Sequence, residues 1–271
     1  MVMKTKLLLI AIILFSTSSF ISNRPVTVFM IGDSTMANRS IQNKNNKERG
    51  WGMMLAGCLT DRVIVDNHAA SGRSTKSFIN EKRWERVLDR IQPGDYVFIQ
   101  FGHNDEKEDP KLHTEPGTTF DDNLRKFVAE TRSKGGIPVL FNSMVRRKFY
   151  CNENGLYTDS LIDTHGDYLL SPKRIAEEKG VVFIDMNKMT HDLVKQMGPE
   201  KSKELFMWVG KRKDDTHLNI KGARIVASLA IEEVGNVILK HLKELLPVNT
   251  EDLKKMRTEK FLEMGRHLPE N

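Results

Sequence analysis

Five short apolar runs, at residues 26–31, 62–67, 95–101, 137–142 and 181–185, constrain the fold of this 271-residue chain more than any other feature. Each is rich in Val, Ile or Phe. Each is followed by apolar residues at helical spacing, such as Trp51, Met54, Leu55, Cys58 and Leu59 after the first. Apolar runs of this length read as strands buried on both faces, and strand–helix alternation repeated five times implies a parallel sheet covered by helices. The fold class expected is α/β, a three-layer α/β/α sandwich around a five-stranded parallel sheet. Further helices are expected over Phe78–Ile91, through Phe120, Leu124, Phe127 and Val128, up to Glu178, from Met186 to Met197 and from about Asn219 to Leu246. Ser143–Gly166 reads as a long excursion after the fourth strand, and the residues between Pro199 and Asp214 read as a polar stretch.

An apolar fraction of 39% suits one domain with a sizeable core. The N-terminus is different in kind. Lys4 and Lys6 precede the apolar run Leu7–Phe15, and Ser16, Thr17, Ser18 and Ser19 follow it. That order is the organisation of a secretory signal peptide, too short to favour a spanning helix. Residues 1–22 are therefore read as a signal peptide, 23–250 as the folded domain and 251–271 as a charged tail. A secreted or periplasmic monomer is expected, with no stable membrane association after cleavage. Cleavage takes two lysines and lowers the formal charge from +6 to +4. A basic exported protein suits an anionic partner, but no run of five or six like charges points to nucleic acid. Cys58 and Cys151, one in a helical pattern and one in a loop, are expected as unbridged thiols.

The first strand ends at Gly32-Asp33-Ser34-Thr35. Alone, Gly-Asp-Ser is more often turn chemistry than a nucleophile. Three other loops change that balance: Ser71-Gly72-Arg73, Gly102-His103-Asn104-Asp105 and Asp214-Asp215-Thr216-His217. All are expected at the carboxyl edge of the sheet, where open α/β sheets bind ligands. Acyl transfer needs a nucleophile, a base, a group that holds the base and donors for an oxyanion. Ser34 supplies a hydroxyl, and His217 an imidazole with Asp214 three residues before it. The backbone N–H groups of Ser34 and Gly72, with the amide of Asn104, supply donors that do not compete for protons. Asp33 is expected to brace the nucleophile loop, and Asp215 competes with Asp214 as orienter. His165 with Asp163 is a rival base–acid pair, assigned instead to substrate contact or structure. Arg146 and Arg147 are either solvated loop charges or carboxylate-binding forks, and His103 is a further candidate contact.

On these four blocks in this order, the chain resembles the SGNH (GDSL-type) hydrolase family, with Thr35 in place of the leucine of the family name. The Phe101–Asp105 and Asp215–Asn219 blocks, with the loop holding Arg146, Arg147 and Asp163-Thr164-His165-Gly166, are similar to the rhamnogalacturonan acetylesterase branch. The resemblance implies a flavodoxin-like sheet and the triad Ser34, Asp214 and His217. It further implies a secreted serine esterase that removes acetyl groups from an anionic plant cell-wall polysaccharide, with neither metal nor cofactor. Acetyl-xylan is the alternative substrate. A metal-dependent phosphoesterase would need more ligands than Asp33 at the first strand and would leave Ser34 unused. A lipase or thioesterase would need an apolar channel, and a glycan-binding module exposed aromatics beyond the 7% present.

Overall fold

The computed structural model describes residues 24–42 and 45–242, with side chains to residue 236. The expected signal peptide and charged tail lie outside the described residues. The five apolar runs form β1 (Val26–Gly32), β2 (Val63–Asn67), β3 (Tyr96–Gln100), β4 (Ile137–Phe141) and, further along the chain, β7 (Val182–Ile184). They pair in parallel in the order β2-β1-β3-β4-β7. The order reverses between β1 and β3, the place where sheets of this kind open a crevice.

Each central strand carries two cores because successive side chains point to opposite faces. Val28, Met30, Phe98, Val139 and Phe141 face α1 (Trp51–Met54), α6 (Met186–Lys201) and α7 (Ile220–Leu242), and pack with Trp51, Leu55, Val194, Val226 and Ile231. Phe29, Ile31, Val97, Ile99 and Leu140 face the other way. They meet Phe78 of α2 (Thr75–Asn80), Trp84 of α3 (Arg83–Leu88), Phe127 of α4 (Thr119–Ser133) and Ile175 of α5 (Leu170–Lys179). Both faces are therefore dry, which is why the runs read as apolar rather than alternating.

Three expectations change. The helix over Phe78–Ile91 is two helices, α2 and α3, separated at Lys82, whose φ of 56° is left-handed. The first begins earlier than its apolar pattern because Ser74 and Ser77 form a reciprocal capping box. The excursion after β4 contains the antiparallel pair β5 (Phe149–Cys151) and β6 (Tyr157–Leu161). The polar stretch after Pro199 folds into a second pair, β8 (Phe206–Val209) and β9 (Arg212–Leu218). Cys58 is buried, Cys151 is exposed, and neither is disulfide-bonded.

Candidate active site

Ser34 sits just past the end of β1 in a turn built by its neighbour. Thr35 donates its N–H (2.9 Å) and hydroxyl (2.8 Å) to Asp33 Oδ1, and Met36 and Ala37 donate their N–H groups to the Asp33 carbonyl at 3.3 and 3.1 Å. The start of α1 clamps the turn from outside, because Trp51 donates its N–H to the Thr35 carbonyl at 2.9 Å. Asp33 thus braces the loop, as its neighbours in sequence suggested.

His217 and Asp214 reach the same point from β9 rather than across a free turn. The β8–β9 ladder shifts register between Phe206 and Met207, so four residues of β9 are taken up in one step of β8. Asp214 Oδ1 fills this bulge by accepting the N–H groups of Thr216 and His217, both at 2.9 Å. Its other oxygen, Oδ2, lies 2.9 Å from His217 Nδ1, and His217 Nε2 lies 2.9 Å from Ser34 Oγ. Burial alone would raise the Asp214 carboxyl. The side-chain and backbone donors of His217, together with Arg212 and Thr216, outweigh it and hold the group well below the usual carboxylate range. The imidazole nitrogen facing Ser34 is therefore the one left to accept a proton.

The remaining donors arrive from the loops after β2 and β3. Gly72 adopts φ +76°, with nothing within 4 Å of where a Cβ would lie, so glycine is required there for conformation rather than for space. Asn104 donates Nδ2 to the Arg73 carbonyl at 3.1 Å and accepts Lys107 Nζ on Oδ1 at 2.7 Å. The lysine fixes which side of the amide carries the N–H groups. A serine, an imidazole with its carboxylate, and amide donors at the β1/β3 crevice make an acyl-transfer constellation.

Known proteins resemble the chain over most of its length. Residues 30–225 match the GDSL-like Lipase/Acylhydrolase family. A rhamnogalacturonan acetylesterase of Bacillus subtilis, RhgT, is 38% identical over 231 residues, covering 81% of this chain and 95% of that protein. The chain belongs to the GDSL-like lipase/acylhydrolase family. It is a carboxylic ester hydrolase. A second rhamnogalacturonan acetylesterase, from Emericella nidulans, is 26% identical and is covered over 91% of its length by 83% of this chain. The crystal structure of the Bacillus subtilis protein YxiM superposes with a TM-score of 0.67 at 29% identity, over 80% of this chain and 58% of that one.

Within this GDSL-family site, the four candidate substrate contacts all lie against groups of the protein itself. Arg147 is 1% exposed, and its Nε meets Asp215 Oδ1 at 2.7 Å while its guanidinium lies 4.6 Å from the Trp208 ring centre. The fork expected for a carboxylate of the substrate is thus used inside the protein, where it pins β9 to the chain after β4. His165 is buried and its Nδ1 contacts Glu106 Oε2 at 2.7 Å, while Arg146 pairs with the other Glu106 oxygen. Asp163 caps the His165 N–H at 2.8 Å and does not meet its ring, so the rival base–acid pair does not form. His103 lies under the nucleophile loop, with Nδ1 3.3 Å from Asp33 Oδ2. Burial, with His165 and Arg146 nearby, pushes His103 down toward its neutral form. On Asp33, burial works upward, but His103 and Thr35 outweigh it and keep the carboxyl ionised. Among the described residues no group of three or more His, Cys, Asp or Glu side chains is placed to hold a metal ion.

Asp105 has a different environment. It accepts the Thr75 N–H (3.0 Å) and the Thr75 and Thr114 hydroxyls on Oδ1, while Oδ2 is buried without a partner. Burial above all, with Asp33 adding, raises its carboxyl from 3.8 to about 7. The folded protein therefore keeps this proton to higher pH than the unfolded chain does. Its contribution to stability is full below the unfolded value and is lost as pH rises toward 7. Asp105→Asn should remove that loss, which linkage sets at about 1.4 kcal/mol for each pH unit separating the folded and unfolded values. Denaturant titrations should show the variant gaining a few kcal/mol on the wild type between about pH 4 and pH 8. An unchanged difference across that range would mean that Asp105 ionises normally.

Proposed function

We propose that the protein is an exported carbohydrate O-acetylesterase acting on acetylated rhamnogalacturonan through an acetyl-Ser34 intermediate. The observation that carries the reading is the unbroken line from Ser34 Oγ through His217 to Asp214, with 2.9 Å at each step. In the first half-reaction Ser34 Oγ attacks the acetyl carbonyl carbon while His217 Nε2 takes the hydroxyl proton. The oxyanion is met by the N–H groups of Ser34 and Gly72 and by Asn104 Nδ2, and His217 returns the proton to the departing sugar oxygen. Water then attacks acetyl-Ser34 with His217 again as base, which releases acetate and restores the serine.

The substrate class is supported by the names of the two acetylesterase relatives and by the surroundings of Ser34. A cleft of about 500 Å³, lined by Asn38, Arg39, Gln42, Met53, Val65 and Asn67, borders the site through Arg39, which donates to the Ser34 carbonyl; Ser34, Gly72, Asn104 and His217 do not line it. Its mixed polar and apolar lining suits a sugar ring better than an acyl chain. With Arg147 and His165 taken up internally and Arg73 paired with Glu81, exposed Lys107, whose Nζ reaches Asn104 Oδ1 at 2.7 Å, is a cation placed beside the oxyanion donors. Export rests on residues 1–22, and no described helix is long and apolar enough to cross a membrane.

Acetate release should be faster from acetylated rhamnogalacturonan than from acetyl-xylan or acetylated homogalacturonan. Added salt should raise KM on the rhamnogalacturonan more than on a neutral aryl acetate, because only the former carries a carboxylate for Lys107. Faster release from neutral xylan with no effect of salt would sink the pectin assignment and leave the esterase standing.

A further inference from the structure

His217 and Asp214 stand on a hairpin that shares no ladder with the five-stranded sheet, whereas Ser34 follows a strand inside it. Keeping a 2.9 Å contact between two separate sheets requires a cross-tie, and three charged side chains form a continuous one. Arg39 reaches Glu48 Oε1 with Nε at 2.7 Å and donates Nη2 to the Ser34 carbonyl at 3.0 Å. It also touches the Ser71 hydroxyl, beside Gly72. The second oxygen of Glu48 accepts Arg212 Nη2 at 2.6 Å. That nitrogen also lies 2.6 Å from Asp214 Oδ2, the oxygen that holds His217. The ring closes through His217 and Ser34. Backbone contacts stitch the same seam, because Glu48 bridges Asn219 and the Arg49 N–H donates to the Leu218 carbonyl at 3.0 Å.

We propose that Arg39, Glu48 and Arg212 are positioning residues that register His217 on Ser34 and set opposing charges behind the imidazole. The inference rests on the triad reading above. The two charges act with opposite sign. Arg212 shares the Asp214 oxygen that would steady an imidazolium, so it weakens that support. Glu48 is a second anion near the ring and favours the imidazolium; burial raises the Glu48 carboxyl, and Arg212 first, then His217 and Arg39, outweigh it and hold it low. The charged groups facing His217 are Asp214 and Arg212 from its own strand, and Glu48 and Arg39 from the segment before α1. Arg49 lies beyond them, with its guanidinium turned onto the Asn46 and Glu48 carbonyls at 2.8 and 2.6 Å.

The test is the pH–rate profile on an aryl acetate, a substrate that carries no sugar. Glu48→Gln should move the acid limb to lower pH by about half a unit, and Arg212→Gln should move it to higher pH by a similar amount. The double variant should bring the limb back near its original place, while kcat falls about tenfold or more with little change in KM. Arg212→Lys should hold the limb but not restore full kcat, since it keeps the charge and loses the fork. If Arg212→Gln does not fold, Glu48→Gln and Arg212→Lys still give the limb. Shifts in the same direction, or lost activity with an unmoved limb, overturn the proposal. A fully active Ser34→Ala enzyme would instead undo the triad reading, so the two failures are told apart.

Discussion

Ser34→Ala is expected to lower kcat on an aryl acetate by on the order of 10⁵-fold, since removing a triad nucleophile leaves only oxyanion and binding effects. The two hydroxyls beside Ser34 and Gly72 are already engaged. The Thr35 hydroxyl is committed to Asp33 at 2.8 Å, and the Ser71 hydroxyl is held by Arg39. The Michaelis constant should change little, because the amide donors and the cleft remain. A serine-reactive organophosphonate should label the wild type once, at Ser34, and should not label the variant. An adduct on another serine, with Ser34→Ala still active, would reassign the nucleophile.

What could be read from the sequence was whatever both faces of the sheet had to bury. Val28 and Met30 against one helical layer, with Phe29 and Ile31 against the other, leave no polar position from Val28 to Ile31, so β1 announces itself. The β9 strand does not. Its residues Arg212-Lys213-Asp214-Asp215-Thr216-His217 are polar because the site and its supports occupy them, and a strand without an apolar face has no period to detect. Once the β8–β9 ladder is known, the regular pairing of Met207 with Asp214 and Val209 with Arg212 places Arg212 and Asp214 on one face. That signal was present but needed the strand first. Glu48 and Arg39 obey no spacing rule at all, because their partners lie on β9, more than 160 residues away for the Glu48–Arg212 contact.

The same limit explains Arg147. An arginine in a long loop reads as solvated, and nothing near it in sequence forecasts Trp208 and Asp215 closing over it. Ser34, Gly72 and Asn104 were easier because each follows a strand that is itself legible. Lys82, by contrast, breaks a helix in a conformation that favours glycine, and no local residue marks the break.

Asp214→Asn is expected to cost on the order of 10³- to 10⁴-fold in kcat, and Asp215→Asn far less, although the two residues are adjacent. The difference lies in which oxygen each carboxylate commits. Asp214 Oδ1 accepts the Thr216 and His217 N–H groups at 2.9 Å, so an asparagine oxygen is held there by two donors. Its NH₂ group must then face His217 Nδ1 and Arg212, where the carboxylate had accepted from both. An NH₂ donor opposite Nδ1 favours the tautomer with the proton on Nε2, and that nitrogen can no longer take the Ser34 proton. The variant also sets a donor against the Arg212 guanidinium, which adds strain to the bulge. Asp215 has the opposite arrangement. Its Oδ1 accepts Arg147 Nε and Trp208 Nε1, both at 2.7 Å, and an asparagine oxygen can keep both bonds. What it loses is the charge opposite a buried guanidinium, so the cost should appear as a lower melting temperature with kcat near wild type. Paired measurements of kcat and thermal stability decide between them. Equal loss of kcat in both variants, or a larger loss in Asp215→Asn, would move the orienting role from Asp214 to Asp215.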